Sequence, residues 1–549
     1  MVRTQRPLSC PTRPLLALWI AAVLLGLVGL GNVPLRDWDE SIVARVSLEI
    51  SRGNGHNLLL PTYLGRDYLN KPPGLHLAIA AVLKIWELAR GDASAELPPE
   101  WLVRLLPALA SSLIVPLMGL VQARIRPSRP DAAIATALIT LTLLPLARHG
   151  RLAMLDGTQL TAMALVWLGV LWAGRSPRQA LHGGLLAGLG GCLLLLLKAP
   201  VAPPVLAGAL MLRWMDRDLD TRAWRWLLLG VMLALLPGVA WHGWHWLVRG
   251  SQALVMWGPQ GLERLVRVVN GNGGGPMVPI TQVLIGGWPW LPLLPAAMGR
   301  AWHERNRKEG RWGLGLFLLA GLLVLPLRTQ LPWYSLLLWP PYALLCGPVL
   351  ADLMAGRTRP ALAAWVGRIW SGLGAVVLGA AIVLACLPGR PLPLAGLLSA
   401  LPAGLALLAG GRLLLRPREP RAALRGVCTT SFGWFLALGL LFAGPLWNWE
   451  LAEQPPITPA VRLAFTGPAA PPVHLLEQDA ESLRPSLHWY LNSPGAPLEP
   501  EASRWPRSRF RLISRTRPPT ESASERCQLA QAGDDGWKRW DCKARGGAS

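Results

Sequence analysis

The chain has 549 residues, of which 52% are hydrophobic and only 15% are charged. A soluble protein of this length carries more charge, so the composition indicates a membrane protein with many spans. The formal net charge of +23 does not indicate nucleic-acid binding, because the basic residues lie in short clusters between apolar runs. Residues 450–549 are nearly balanced, with 13 Lys/Arg against 12 Asp/Glu.

Thirteen apolar runs approach the length that a helix needs to cross a bilayer, roughly 17–25 residues. The predicted spans lie near residues 14–32, 102–123, 131–147, 157–173, 180–197, 199–214, 225–247, 281–298, 312–327, 331–354, 361–387, 393–415 and 427–447. The first run follows three arginines, as in a signal peptide, but lacks a convincing small-residue cleavage site. We therefore interpret it as a retained helix.

Clusters of basic residues give the orientation of these spans. One cluster follows each even-numbered span. In chain order the clusters are Arg124/Arg126/Arg129, Arg175/Arg178, Arg213/Arg217/Arg222, Arg305/Arg307/Lys308/Arg311, Arg357/Arg359 and Arg416/Arg418/Arg421. Basic loops stay on the cytoplasmic side. The sequence therefore predicts a membrane protein with its N-terminus in the cytoplasm and its C-terminus outside.

Two outer loops are long, at residues 33–100 and 248–280. The first contains two amphipathic stretches, around Ile42 to Ile50 and Leu75 to Leu88, which are typical of helices in the membrane interface or of a loop packed on the bundle. We divide the chain into a transmembrane domain, 1–449, and a small extracytoplasmic domain, 450–549. The latter has one strand-like piece, Pro472 to Leu476, and two cysteines, Cys527 and Cys542, which an oxidising compartment would allow to pair.

Ionisable residues collect at the predicted outer ends of the spans. The acidic pair Asp39–Glu40 and Lys71 lie in the first long loop, and Asp156 and Lys198 lie in short turns. Arg264 and Arg267 lie in the second long loop, and Arg328 lies between spans nine and ten. Charges beside lipid are costly and are commonly functional. Each also has a simpler explanation: Asp39 and Asp156 as helix N-caps, Lys71 and Lys198 as lysines reaching to the interface.

Taken together, these residues predict one cavity with two tasks. Cations hold a phosphate or pyrophosphate, and a carboxylate takes a proton from an attacking hydroxyl. We expect Asp39, Asp156, Lys71 and Lys198 to meet in this extracytoplasmic cavity, which would open to lipid.

The order of several short motifs resembles the GT-C glycosyltransferases, in particular the bacterial aminoarabinose (lipid A) transferases and the protein O-mannosyltransferases. The motifs span about residues 30–350 and are Asp39-Glu40, Lys71-Pro72-Pro73, Arg104-Leu-Leu-Pro107, Asp156, Leu197-Lys198-Ala-Pro200, Trp288-Pro-Trp290 and Trp333-Tyr334 with Pro340. The resemblance implies an all-α polytopic fold of about 13 transmembrane helices, with interfacial helices in the first outer loop and a small external C-terminal domain.

The resemblance also implies sugar transfer from a polyprenyl-phosphate donor to a lipid, glycan or protein acceptor outside the membrane, with inversion. Asp39 matches the catalytic base, with Glu40 beside it, and Asp156 matches a second acidic position. Lys71 and Lys198 match donor-phosphate positions. Arg264 or Arg267 takes the place of the arginine of the second long loop, and Arg328 supplies a charge near the Trp-Tyr pair, where Gln330 replaces a lysine of the relatives.

Two differences from the aminoarabinose transferases concern metal binding. The aminoarabinose branch holds a metal with an acid before the loop lysine and a histidine in the second long loop. This chain has Asn70 and the glycine run 271–275 at those places. A divalent metal stays open as a cofactor, but the zinc set of that branch is not expected.

A second class of function is a transporter or flippase of lipid-linked sugars. Transporters keep polar residues near the midplane of the bilayer and are commonly built from repeats. The ionisable residues here lie at the outer rim, and no duplicated half is visible in the sequence. The pattern therefore favours an enzyme.

Overall fold

The structure is a computed structural model of the whole chain. It describes residues 11–53, 58–90, 97–269, 271–387, 393–416, 419, 421–448, 458–465, 471–476, 484–492, 498, 506, 508–515, 527–533 and 536–543. The chain forms two compact units. The first comprises Met1–Asn32, Leu69–Pro72 and Pro107–Trp449, and the second comprises Val33–Tyr68, Pro73–Leu106 and Glu450–Ser549.

Helices dominate the chain. In chain order they are α1 (Thr12–Leu27), α2 (Asp39–Arg52), α3 (Gly74–Arg90), α4 (Glu100–Ser112), α5 (Ile114–Ile125), α6 (Pro130–Thr142), α7 (Leu144–Gly150), α8 (Leu155–Trp172), α9 (Pro177–Lys198), α10 (Ala202–Asp216), α11 (Thr221–Arg249), α12 (Glu263–Val266), α13 (Met277–Gly286), α14 (Leu294–His303), α15 (Lys308–Val324), α16 (Trp339–Met354), α17 (Pro360–Cys386), α18 (Leu394–Leu414), α19 (Ala422–Ala443), α20 (Thr458–Phe465) and α21 (Pro485–Tyr490).

Within the described residues, eight helical segments are long and apolar enough to cross a membrane, and two bent helix pairs bring the number to as many as ten. The pair α6 and α7 bends by 62°, and the pair of α13 with Leu291–His303 bends by 109°. Pro145 at the start of α7 and Pro289 between α13 and Leu291 account for these breaks, because proline lacks the N–H that would continue the preceding helix. Each of the thirteen apolar runs noted in the sequence overlaps a helix.

Helices α9 and α11 pack along a seam of glycines. A Cβ added to Gly184 would collide with the carbonyl oxygen of Leu227, and one added to Gly188 with that of Val231. Two small residues four positions apart let helix backbones touch, which is how helices pack where lipid removes the hydrophobic driving force. This pairing fixes α9, which ends at Lys198.

The two amphipathic stretches of the first long loop are helices, as predicted. They are α2 and α3, and a short hairpin of β1 (Thr62–Tyr63) and β2 (Arg66–Asp67) lies between them. The apolar stripe of α2 is buried against Tyr68 and Ala80 in a small core of the second unit. The stripe therefore serves tertiary packing.

The C-terminal part of the second unit contains a four-stranded sheet with the strand order β3-β4-β6-β5. The strands are β3 (Val473–Leu475), β4 (Phe510–Ser514), β5 (Cys527–Ala532) and β6 (Lys538–Cys542). The predicted strand near Pro472 is β3, whereas the other three strands were not foreseen. The predicted all-α fold class therefore fits the first unit but not the second unit, which contains this sheet.

Cys527 and Cys542 face each other across β5 and β6 and form a disulfide. A cross-link over 15 residues stabilises a fold by roughly 3 kcal/mol, chiefly by restricting the unfolded chain. We expect Cys527→Ser/Cys542→Ser to be cut several-fold faster in limited proteolysis, with cleavage inside residues 450–549. The matched control Cys428→Ser, which removes an exposed free thiol, leaves the rate unchanged. Equal cleavage rates for both variants would contradict this expectation.

Candidate active site

A cavity of about 430 Å³ lies within the first unit. Its polar wall comes from the first turn of α8, the end of α9 and the segment 257–265. Leucines and prolines form the rest of the wall, among them Leu160, Pro203, Leu322 and Leu336. A mostly apolar pocket with a few convergent polar groups is typical of a ligand site.

Asp156 and Lys198 meet in this cavity, as predicted. Lys198 Nζ lies 2.8 Å from Asp156 Oδ1, and the two side chains are only 20% and 12% exposed. Lys198 ends α9 because Pro200 follows shortly after, and a cation is favoured at a helix C-terminus. Asp156 lies in the first turn of α8, and the N-cap residue there is Met154, without a side-chain cap. The ion pair with Lys198, and not helix capping, therefore explains why an acidic residue occupies position 156.

Tyr334 links the two cations of the cavity. Lys198 Nζ lies 4.9 Å from the centroid of its ring, and its hydroxyl accepts a hydrogen bond from Arg264. Arg264 also donates to Gln260 Oε1 over 2.9 Å. A cation over an aromatic ring is attracted by the ring's electrons. Tyr334, from the 3₁₀ segment Pro332–Leu338, thus holds both cations in place.

The other predicted cations are placed differently. Arg267 is 75% exposed at its side chain and lies 3.4 Å from Glu263. Arg328 is exposed, although its backbone N–H donates to the Arg264 carbonyl over 2.9 Å. Lys71 is half-buried. None of the three is among the described residues that line the cavity.

Gln159 is a polar residue of the cavity that sequence reasoning missed. It lies one helical turn after Asp156 on α8, lines the cavity and is only 2% exposed. Within the described part of the chain, its side-chain oxygen has no hydrogen-bond partner. A buried oxygen without a hydrogen bond costs about 1–3 kcal/mol. A donor group on a bound ligand would remove this cost, so Gln159 is a candidate for ligand contact.

Asp39 and Glu40 belong to the second unit, where a tight turn precedes them. Trp38 has φ 56° and ψ −76°, and the Asp39 N–H donates to the Asp37 carbonyl over 2.7 Å. This combination is a γ-turn with positive φ, a strained conformation for a bulky residue. Asp39 follows directly as the first residue of α2 and is half-buried. Its meeting with Asp156 and Lys198 stays a prediction.

Residues near the C-terminus hold this turn from within the same unit. The Ser486 N–H donates to Asp37 Oδ1 over 3.0 Å, and Arg484 lies 3.5 Å from the same carboxylate. The Tyr490 hydroxyl accepts from the Leu35 N–H over 2.7 Å and donates to Glu100. Burial, with the nearby Glu100 carboxylate, raises the pKa of Tyr490, so its hydroxyl keeps the proton that it donates.

Glu40 is fully buried and makes a bidentate ion pair with Arg104. Its two oxygens accept from Arg104 Nε and Nη2 over 2.8 and 2.7 Å, and Oε2 also accepts from the Arg36 N–H over 2.9 Å. Arg104 donates further to the carbonyls of Val33 and Pro34. This network fixes the start of α2 and leaves Glu40 without access to solvent, which favours a positioning role over a reacting one.

We expect Arg104→Met to destabilise the second unit by roughly 3–5 kcal/mol, because it leaves the Glu40 carboxylate buried and unpaired. The double variant Glu40→Gln/Arg104→Met removes both charges and recovers part of this loss. The midpoint of thermal unfolding in detergent measures both effects. An equal loss in the single and double variants would show that the charge pair is not the cause.

Metal binding has no obvious set of ligands here. The described residues contain no group of three or more His, Cys, Asp or Glu side chains that could hold a metal ion. Asn70 and the glycines of 271–275 supply neither a carboxylate nor an imidazole.

Part of the sequence is similar to known proteins. A model of the family described as dolichyl-phosphate-mannose-protein mannosyltransferase matches residues 84–250. The undecaprenyl phosphate-alpha-4-amino-4-deoxy-L-arabinose arabinosyl transferase of Pseudomonas aeruginosa (strain LESB58) is 30% identical over 349 residues, covering 61% of this chain and 59% of the relative. A relative of the same description, with the suffix 2, from Pseudomonas fluorescens (strain Pf0-1) is 28% identical over 354 residues, covering 61% and 60%. The matches thus span about 60% of the relatives' length.

The fold is also similar to that of solved structures. The crystal structure of ArnT from Cupriavidus metallidurans bound to undecaprenyl phosphate has a TM-score of 0.69 and 18% identity, covering 96% of this chain and 97% of that chain. Its apo structure gives the same score and identity, with coverages of 97% and 98%. The chain therefore has a fold similar to that of ArnT. In sequence it resembles the aminoarabinose transferases, and residues 84–250 match the mannosyltransferase family model.

Proposed function

We propose that this chain is a membrane glycosyltransferase, which moves a sugar from a polyprenyl-phosphate donor to a lipid, glycan or protein acceptor on the extracytoplasmic face. The observation that carries the proposal is the cavity in which Lys198, Arg264 and Asp156 meet beside a wall of leucines and prolines. Such a wall suits an isoprenoid chain, and the cations suit its phosphate.

The donor phosphate is assigned to Lys198 and Arg264. Both contact Tyr334, which restricts their side chains before a ligand arrives. Cations held in place in a site with little water stabilise the negative charge on the leaving phosphate more strongly than mobile ones. Lys71, Arg267 and Arg328 are retained as accessory cations, with the smallest role for the exposed Arg267.

The reaction is an inverting displacement. Asp39 takes the proton of the acceptor hydroxyl, whose oxygen forms a bond to the anomeric carbon while the bond to the phosphate oxygen breaks. Asp156 orients Lys198 through their ion pair. We assign Glu40 to positioning, because both of its oxygens are bound by Arg104.

The topology proposed for this function has thirteen crossings. The eight long apolar segments give nine of these crossings, because the segment Pro177–Asp216 contains both α9 and α10. Helices α1 and α15 and the two bent pairs complete the set. The basic clusters between them keep the N-terminus in the cytoplasm of a bacterium and place the C-terminus outside the inner membrane. In this topology residues 1–449 form the transmembrane domain and residues 450–549 form an extracytoplasmic domain.

Membranes containing the chain, incubated with radiolabelled polyprenyl-phosphate sugars, test the proposal. We expect label to move into a lipid, glycan or protein fraction, and membranes without the chain to show no transfer. The fraction that acquires label identifies the class of acceptor. Movement of the labelled donor across the membrane without a new glycoside would instead support a transporter or flippase and would overturn the proposal.

A further inference from the structure

A second and larger cavity lies in the first unit, with a volume of about 820 Å³. It shares no lining residue with the cavity that contains Lys198. Helix α8 runs from Asp156 in one cavity to Trp172 in the other. The sixteen residue-to-residue steps between them span roughly 24 Å along the helix, so the two cavities lie at opposite faces of the proposed membrane domain.

The wall of this second cavity is strongly basic. Five cations line it against the single carboxylate Asp218, and they are Arg124, Arg126, Arg175, Arg213 and Lys308. Two of them are neutralised nearby, since Arg126 pairs with Glu304 and Arg213 lies 2.8 Å from Asp218. Within the described part of the chain, the other three form no ion pair with a carboxylate. Three cations that line one cavity thus lack a directly paired carboxylate among the described residues.

One further observation indicates that this wall can accept an anion. Arg213 is only 3% exposed, and its Nε donates no hydrogen bond within the described residues. A bound anion would satisfy this donor, because its oxygens would accept a hydrogen bond from the guanidinium.

The rest of the wall is apolar and includes Leu120, Leu168 and Trp172, with the Arg124 guanidinium 5.6 Å from the ring of Trp172. A free phosphate would leave these groups in contact with water, whereas a lipid would cover them. Basic pockets between transmembrane helices on the cytoplasmic side suit anionic lipid headgroups.

We propose that this second cavity is a binding site for the phosphate headgroup of an anionic phospholipid of the cytoplasmic leaflet. Arg175, Arg213 and Lys308 contact the phosphate, and the leucines and Trp172 contact the first part of the acyl chains. The site is independent of the sugar transfer proposed above.

Native mass spectrometry of the purified full chain, with phosphatidylglycerol or phosphatidylcholine added to the detergent, tests the proposal. We expect phosphatidylglycerol adducts about tenfold above those of phosphatidylcholine. In Arg175→Ala/Lys308→Ala we expect this preference to fall to about twofold. The matched control Arg178→Ala/Arg307→Ala removes the same charge from neighbouring positions that do not line the cavity, and it keeps the preference. Equal midpoints of thermal unfolding show that both variants are folded.

Three results would overturn the proposal. The first is an unchanged preference in Arg175→Ala/Lys308→Ala, and the second is an equal loss in the control variant. The third comes from an arm with inorganic phosphate. Phosphate binding that depends on Lys308, without any preference for phosphatidylglycerol, would assign the cavity to a free anion and not to a lipid.

Discussion

Asp39→Asn is expected to lower the rate of sugar transfer by roughly 10²–10⁴, the contribution that a positioned general base makes to a reaction. The amide has the same shape as the carboxylate but does not take the proton of the acceptor hydroxyl. Donor binding and insertion into the membrane should be unchanged, since the phosphate is assigned to Lys198 and Arg264. Single-turnover transfer from a radiolabelled donor measures the rate, and equilibrium binding of the donor measures its affinity.

Asp67→Asn is the matched control for this variant. Asp67 is an exposed carboxylate of β2 in the same long loop, so its replacement should leave transfer near the wild-type rate. Full activity of Asp39→Asn would remove Asp39 from the mechanism. A loss of transfer accompanied by an equal loss of donor binding would also contradict the assignment, because it would indicate a damaged site and not a missing base.

The second large effect is expected from Lys198→Met, which should weaken binding of a polyprenyl-phosphate donor by roughly 10–100-fold. A hydrogen bond to a charged group contributes about 1.5–3 kcal/mol, and each 1.4 kcal/mol is a factor of ten in affinity. Methionine keeps much of the apolar stem of lysine but leaves the Asp156 carboxylate without its partner. Titration with a donor analogue, followed by tryptophan fluorescence, gives the dissociation constant.

Two companion variants separate the charge from the surrounding structure. Tyr334→Phe keeps the ring beneath Lys198 and removes only the hydroxyl that contacts Arg264, so its loss of affinity should be several-fold. Arg267→Ala removes an exposed cation from the same loop and should change affinity less than twofold. If Arg267→Ala and Lys198→Met weakened binding equally, the cavity would not be the phosphate site.

Much of the helical arrangement could be predicted because apolar length and proline positions control it. The end of α9 at Lys198 and the break between α6 and α7 both follow from prolines that are visible in the sequence. The strands β4, β5 and β6 could not be predicted in the same way. They are short, and they pair through long-range contacts in a segment where Ser, Arg and Pro hide the alternation of a strand.

The candidate site was likewise predictable only in part. Asp156 and Lys198 were predicted to meet because both lie in short turns at one end of neighbouring spans. Gln159 was missed because it lies inside an apolar run, where a polar residue gives no periodic signal. The burial of Glu40 was also missed, since its cause is Arg104, 64 positions further along the chain. No sequence pattern identifies the positive φ of Trp38.

The hydrogen bond between Asp37 and Ser486 joins residues 449 positions apart. The turn before Asp39 can therefore be completed only after the C-terminal part of the chain has been synthesised. The first outer loop is synthesised long before Ser486, so the turn next to Asp39 lacks two of its supports until the last part of the chain has crossed the bilayer. A nascent chain that stops after α19 has every described residue of the donor cavity but not this support. Under the proposed function, binding of a lipid-linked sugar can thus precede competence for transfer during biogenesis.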